Sequence, residues 1–237
     1  MKRRIKISLI LPLVGMAVIT AVPFLKEKRA ERKYENDFKN IQESVTEKKS
    51  DVNGLVKKNK DCIGYVQIPG TTISYPVMQT KDNPDFYLNH DFNRNYSFYG
   101  TPYLSAYCDV NKSDNLIIYG HNINGGKMFG ALELYKDKEF FNKHRKIYFT
   151  TDKKREYEVF AVMCVNIHKF EYWKFVMARD EKEYDEFVDK VEEHSLWRKR
   201  NKPKYGDQML MLSTCDNEKG DDWRIVVIGR NIMSECV

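Results

Sequence analysis

A nucleophile, a cation and a base can be read from two short stretches of the chain. In Gln208-Met-Leu-Met-Leu-Ser-Thr-Cys215 an apolar run delivers a cysteine to its end, and beyond a polar link a second run, Arg224-Ile-Val-Val-Ile, starts directly on an arginine. Residues 208–214 and 225–228 have the apolar, β-branched character of buried strands, and 216–223 is polar with a Gly at 220. Pairing of the two as a hairpin puts Cys215 and Arg224 at the same end of a sheet. A cation beside a thiol favours the nucleophilic thiolate, and a guanidinium can donate to a developing oxyanion. A base is still required. Asn115-Leu-Ile-Ile-Tyr-Gly-His121-Asn122 has the same layout, an apolar run ending at Gly and then His. All three reactive side chains then stand where strands end, on the rim of a rigid scaffold.

Eight short runs have strand character: 63–68, 73–78, 101–105, 114–119, 146–150, 155–165, 208–214 and 224–229. With few long helices between them, they predict a closed or nearly closed, antiparallel-rich barrel, a mainly β fold with flanking helices. Pro69-Gly70 marks the first turn, and Asn124-Gly-Gly126 opens a loop leading to a short helix at about 127–135. A second helix is expected from Asp180 to Lys199, where Tyr184, Phe187, Val188 and Val191 fall at i, i+3, i+4, i+7. Upstream, apolar residues at 34, 38, 41, 45, 52 and 55 keep helical spacing amid dense charge. That segment reads as an amphipathic stalk and lid, with an N-cap break at Ser50-Asp51.

The first 25 residues have a different character. A basic tail, 1–6, precedes 7–25, nineteen residues without a charge and long enough to cross a bilayer as a helix. No convincing cleavage site closes that run, so it is expected to be an uncleaved anchor rather than a signal peptide. The resulting division is a cytoplasmic tail at 1–6, a transmembrane anchor at 7–25, a helical stalk at 26–60 and a catalytic domain at 61–237.

Net charge is +6, but residues 1–29 carry seven Lys or Arg against one Glu, so the other 208 residues hold 33 groups of each sign. A neutral folded part lacks the electrostatic footprint of a nucleic-acid binder. At 237 residues and 42% apolar content, one sizeable core is expected. The five cysteines, at 62, 108, 164, 215 and 236, show no Cys-x-x-Cys spacing and no His at zinc-finger distance, so neither a metal nor another cofactor is expected. Cys164, inside an apolar strand, reads as a buried small hydrophobe. The histidines at 90, 144, 168 and 194 sit in polar contexts and read as solvent-facing.

Leu212-Ser-Thr-Cys215, Arg224-Ile-Val-Val and Tyr119-Gly-His121-Asn122 together resemble the sortases, over roughly 62–228. Within that family the N-terminal helical segment, Gly64-Tyr-Val-Gln-Ile-Pro-Gly70, Ile73-Ser-Tyr-Pro-Val77, Asp82-Asn-Pro-Asp-Phe-Tyr-Leu-Asn-His90 and the helix ahead of the cysteine strand look like class B. One departure is that Met211 replaces the first Thr of the family's usual Thr-Leu-X-Thr-Cys. The resemblance implies an eight-stranded sortase-type β-barrel and a membrane-anchored cysteine transpeptidase of Gram-positive cell walls, its catalytic domain extracellular. Cys215 would cleave a C-terminal sorting motif after Thr through a thioacyl-enzyme, with His121 as general acid and base and Arg224 on the oxyanion. The implied partners are sorting-motif surface proteins and an amine of a cell-wall precursor or a pilin, with membrane contact through the N-terminal helix. Class B members are often linked to motifs of the Asn-Pro-x-Thr type. Two rival readings remain, a hydrolytic surface cysteine protease and a non-catalytic surface binding module.

Candidate substrate contacts complete the expectation. Strand alternation puts Ser213 on the face of Cys215 and Thr214 on the other, so Ser213 is the first candidate and Thr214 a core residue. Asp216 and Asn89 are further candidates, carried partly by the resemblance, and a turn or cap role is the alternative for Asn89. Tyr172 and Trp173, in an aromatic cluster ahead of the second helix, either wall the groove or pack against that helix.

Overall fold

The computed structural model describes residues 52–232 and most of 21–43, and the chain divides into two compact units, Met1–Ser44 and Val45–Val237. In the first unit the described residues of 21–43 are helical. The expectation of a membrane anchor with an extracellular domain is corrected here: among the described residues no helix is long and apolar enough to cross a membrane. From Lys26 onward the helical stretch carries Lys28, Arg29, Glu31 and Arg32, and charges at that density are costly in hydrocarbon. The tail at 1–6, most of the 7–25 run and the break at Ser50-Asp51 lie outside the described residues.

The second unit begins with helix α1 (Val52–Lys58), whose Val52 and Leu55 are buried. Eight strands then close into a barrel: β1 (Cys62–Gln67), β2 (Ser74–Met78), β3 (Tyr103–Leu104), β4 (Asn115–Tyr119), β7 (Lys146–Thr150), β8 (Lys154–Asn166), β10 (Met209–Asp216) and β11 (Gly220–Asn231). Their order is β11-β10-β4-β3-β2-β1-β7-β8, and β8 pairs back onto β11 to complete the ring. Each of the eight predicted runs has become one of these strands, because each alternates or runs apolar for the length of a core crossing. Most neighbours are antiparallel, but β10 lies parallel to β4, and β2 parallel to β3. The core is densest around β10, β4 and β11, where Met209–Leu212, Leu116–Ile118 and Ile225–Ile228 are fully buried.

Outside the ring the structure differs from expectation in two places. Residues 122–128 form a ribbon of β5 (Asn122–Ile123) and β6 (Lys127–Met128), followed by a 3₁₀ turn over Gly130–Lys136 in place of the helix predicted at 127–135. Gly125 and Gly126, at φ +76° and +73°, supply the reversal between the two short strands. A helix does follow, but as α2 (Lys138–Lys143), started by Asp137, whose side chain accepts from the Phe140 amide.

The helix before the cysteine strand, α3 (Glu181–Glu193), is capped by Asp180 and buries Tyr184, Phe187, Val188 and Val191 as its spacing required. It stops six residues short of the predicted Lys199. Residues Ser195–Arg198 instead form β9, paired with Ala161–Met163 of β8. The reason is an available edge: β7 covers β8 only as far as Glu158, so the far half of that long strand has room for a second partner on the same side.

Candidate active site

Cys215 lies one residue from the end of β10, and the antiparallel register sets it directly opposite Arg224, with Met209 opposite Arg230 at the other end of the hairpin. Cross-strand partners point to the same face of a sheet, so the thiol and the guanidinium share one rim of the barrel. One terminal nitrogen of Arg224 donates to the carbonyls of Asp221 and Trp223, which fixes the side chain above the strand ends. Arg230 is held 3.6 Å from Asp207 instead.

The parallel pair β4–β10 brings the base. Ser213 is registered with Tyr119, and the next residues continue the match through Gly120 N–H to Ser213 O (3.2 Å) and Thr214 Oγ1 to Gly120 O (2.7 Å). His121 therefore emerges beside Cys215. Gly120 must be glycine for the chain to turn here, because a Cβ would stand 2.7 Å from the ring of Phe129. His121 Nε2 lies 2.8 Å from Leu88 O, and since a carbonyl only accepts, that nitrogen carries the proton. Nδ1 is then the ring nitrogen left to exchange a proton.

His121, Cys215 and Arg224 line one cleft of about 620 Å³ together with Ser213, Tyr172 and Trp173. Cys215 is half-buried, whereas burial pushes the thiols of Cys62 and Cys108 up to about 12 and about 11. Tyr103 and Tyr119, which the sequence reading missed, wall the same cleft, and burial raises both phenols. Tyr103 hydroxyl donates to Asp85 (3.2 Å), another lining residue. Periodicity shows only that these tyrosines belong to strands. Their gathering at one rim follows from the β3–β4 pairing of Tyr103 with Tyr119.

The remaining candidates are distributed differently. Ser213 is buried, with its hydroxyl 2.7 Å from that of Tyr172, whose own phenol is pushed up to about 12 by burial against the effect of this bond. Thr214, expected in the core, is buried yet also contributes to the cleft wall. Asp216 is not in the cleft: fully buried, it accepts from Lys136 Nζ (2.9 Å), the amides of Glu218 and Lys219, and Cys164 Sγ (3.0 Å). Alternation turns it away from the face of Cys215. Asn89 also stays outside the cleft lining, exposed at the end of the 3₁₀ turn Phe86–Leu88, with its amide donating to Phe86 O.

Two other readings are corrected by the same contacts. Cys164 is half-buried and donates to a carboxylate rather than packing as a simple hydrophobe. Of the four spare histidines only His168 is exposed. His90, His144 and His194 are half-buried, each stacked on a phenylalanine (Phe86, Phe140 and Phe170) and each with Nδ1 against a backbone carbonyl. Apolar ring neighbours four residues away in sequence, or far from it, compete successfully with solvent for an imidazole face.

A barrel in which the cysteine and histidine strands lie side by side and parallel, with an arginine opposite the thiol, defines a family as well as a site. The sequence model of the sortase domain matches residues 66–232, and the chain belongs to the sortase family. Its relatives are of class B. Sortase B of Listeria monocytogenes is 32% identical over 188 residues, covering 78% of this chain and 75% of that protein. The crystal structure of Clostridium perfringens sortase B superposes with a TM-score of 0.71 at 30% identity, covering 76% of this chain and 98% of that one. The Staphylococcus aureus sortase B–substrate complex gives a TM-score of 0.76 at 27% identity, covering 88% and 98%.

Proposed function

We propose that this chain is a cysteine transpeptidase that cleaves a sorting motif after Thr and transfers the acyl part to an amine of the cell wall or a pilin. The reading rests on one observation above all: His121, Cys215 and Arg224 line a single cleft. Cys215 passes its thiol proton to His121 as Sγ adds to the threonine carbonyl carbon, and the resulting oxyanion faces the Arg224 guanidinium. His121 gives a proton to the departing amine as the C–N bond breaks, leaving a thioester on Cys215. An incoming amine then adds to the thioester, its proton passes to His121, and the C–S bond breaks as His121 returns that proton to the sulfur. The neutral phenols of Tyr103, Tyr119 and Tyr172 form a wall that supplies hydrogen bonds without adding charge near the thiolate. The S. aureus relative's structure with a substrate supports a peptide of sorting-motif type as the occupant of this cleft.

Product analysis separates transfer from hydrolysis. Residues 30–237 are incubated with a panel of Thr-containing sorting-motif peptides, with and without oligoglycine or a diaminopimelate-type amine, and the products are identified by mass spectrometry. A peptide–amine conjugate that forms only with the acceptor present is the expected result. Hydrolysed peptide alone, at the same rate with and without amine, would refute transfer.

A further inference from the structure

The loops carrying the base and the nucleophile are fastened together behind the cleft. Asn122, next to His121, uses its side-chain Nδ2 twice: it donates to the backbone carbonyl of Cys215 at 2.8 Å and to Glu133 Oε1 at 2.6 Å. The other oxygen of Glu133 meets Lys136 Nζ at 2.6 Å. Lys136 also contacts Asp216 Oδ1 and Glu218 Oε2, each at 2.9 Å. The carboxylate oxygens of Glu133, Asp216 and Glu218 lie within 4.8 Å of one another, and the three ammonium donors of Lys136 serve all three. Burial opposes the charge of Lys136, but these carboxylates outweigh it and raise its pKa.

From this geometry we propose that Asn122, Glu133 and Lys136 form a positioning clasp that sets the separation and facing of His121 and Cys215. The chain of contacts is continuous. Asp216 braces the turn just after the nucleophile by accepting from two amides, Lys136 holds Asp216, Glu133 links Lys136 to Asn122, and Asn122 returns to the carbonyl of Cys215 itself. A second strut crosses the same gap, from Asn217 Nδ2 to Asn122 O at 3.3 Å. The platform is the 3₁₀ turn Gly130–Lys136, anchored by buried Leu132 and Tyr135 and by Trp197 Nε1 donating to Lys136 O. None of Asn122, Glu133 or Lys136 lines the catalytic cleft. These residues therefore act on the chemical step through Cys215 and His121, without touching substrate.

The clasp rests on the transpeptidase reading, so its test combines peptide turnover with a measurement independent of turnover, the rate of Cys215 alkylation by iodoacetamide at neutral pH. The variants are Asn122→Ala, Lys136→Met and the conservative Lys136→Arg, each checked for cooperative unfolding. Loss of one hydrogen bond at this scale predicts a fall in kcat of about tenfold for Asn122→Ala and Lys136→Met. KM should stay unchanged, Cys215 alkylation should slow in step, and Lys136→Arg should recover most of the lost kcat. Should Asn122→Ala fail to fold, Glu133→Gln replaces it with the same criteria, since it preserves shape and an acceptor while removing the charge that faces Lys136. A wild-type kcat in the folded variants overturns the clasp, as does a rise in KM with kcat intact, or an equal loss in Lys136→Met and Lys136→Arg. Wild-type protein that alkylates at Cys215 yet turns over no peptide refutes the transpeptidase reading instead, and alkylation of the variants still judges the clasp.

Discussion

Two arginines bracket the same strand, and only one of them can serve the cysteine. Arg224 faces Cys215 in the β10–β11 register while Arg230 faces Met209, six residues along. At about 3.3 Å per residue the two guanidinium attachment points are roughly 20 Å apart, whereas Cα atoms of directly opposed residues are about 5 Å apart. Arg224→Lys keeps the charge but loses the planar fork that can hold two acceptors at once. With Nη1 already engaged by the Asp221 and Trp223 carbonyls, a lysine has to choose between that anchorage and the oxyanion. Forfeiting one hydrogen bond of about 1.4 kcal/mol predicts a drop of about tenfold in kcat/KM, and Arg224→Ala one nearer 10²- to 10³-fold. Arg230→Lys retains an ion-pair partner for Asp207 and should leave kcat/KM unchanged. The assay is cleavage of a fluorogenic sorting-motif peptide, with Tm recorded for each variant. A reversed order, Arg230→Lys impaired and Arg224→Lys intact at equal Tm, would show that the rim described here is not where catalysis occurs.

Three further outcomes are expected. His121→Ala should lower turnover by at least about 10²-fold, the scale of a positioned general acid and base, with wild-type turnover moving the base to another residue such as His90. Iodoacetamide at neutral pH should mark Cys215 before Cys62, Cys108 or Cys164, because burial raises all three of those thiols; for Cys108, pushed up to about 11, the thiolate fraction is only about 10⁻⁴. Peptide mapping reads the order, and early labelling of Cys62 or Cys108 in folded protein would contradict it. For Asp216, burial pushes the carboxyl up, but hydrogen bonds from Cys164, Lys136 and the Glu218 amide prevail and hold it below the usual carboxylate range. A folded pKa below the unfolded one means stability that is present above about pH 4 and is lost as pH falls through the folded value. Asp216→Asn should therefore lower Tm at neutral pH, and the gap from wild type should close on acidification; a gap that persists in acid would show that charge is not what Asp216 contributes.

The barrel was legible because its strands are long apolar runs bounded by turn residues, and that signal is local. Hairpin pairing of 208–214 with 224–229 is enough to put Cys215 and Arg224 at the same end of a sheet, and the folded register sets them directly opposite. Four things were not legible. β9 forms because β8 outruns β7 and leaves room at its edge, a fact about strand lengths after folding rather than about Ser195–Arg198 themselves. The ribbon at 122–128 consists of two-residue strands, too short for any periodicity to mark. Asp216 adjoins the nucleophile in sequence, which suggests a substrate contact, but alternation and a lysine eighty residues away make it a buried brace. The tyrosines of the cleft wall were likewise invisible, since their meeting depends on which strands pair and not on any motif.

The central claim is that Cys215 carries the acyl group. Folded enzyme is mixed with a cleavable sorting-motif peptide, quenched in acid during turnover, digested and mapped by mass spectrometry. A thioester-linked acyl fragment ending in Thr should be found on the peptide containing Cys215, should be absent from Cys215→Ala, and should be discharged when an acceptor amine is added before the quench. An adduct on another cysteine, or continued peptide cleavage by Cys215→Ala, would contradict the mechanism.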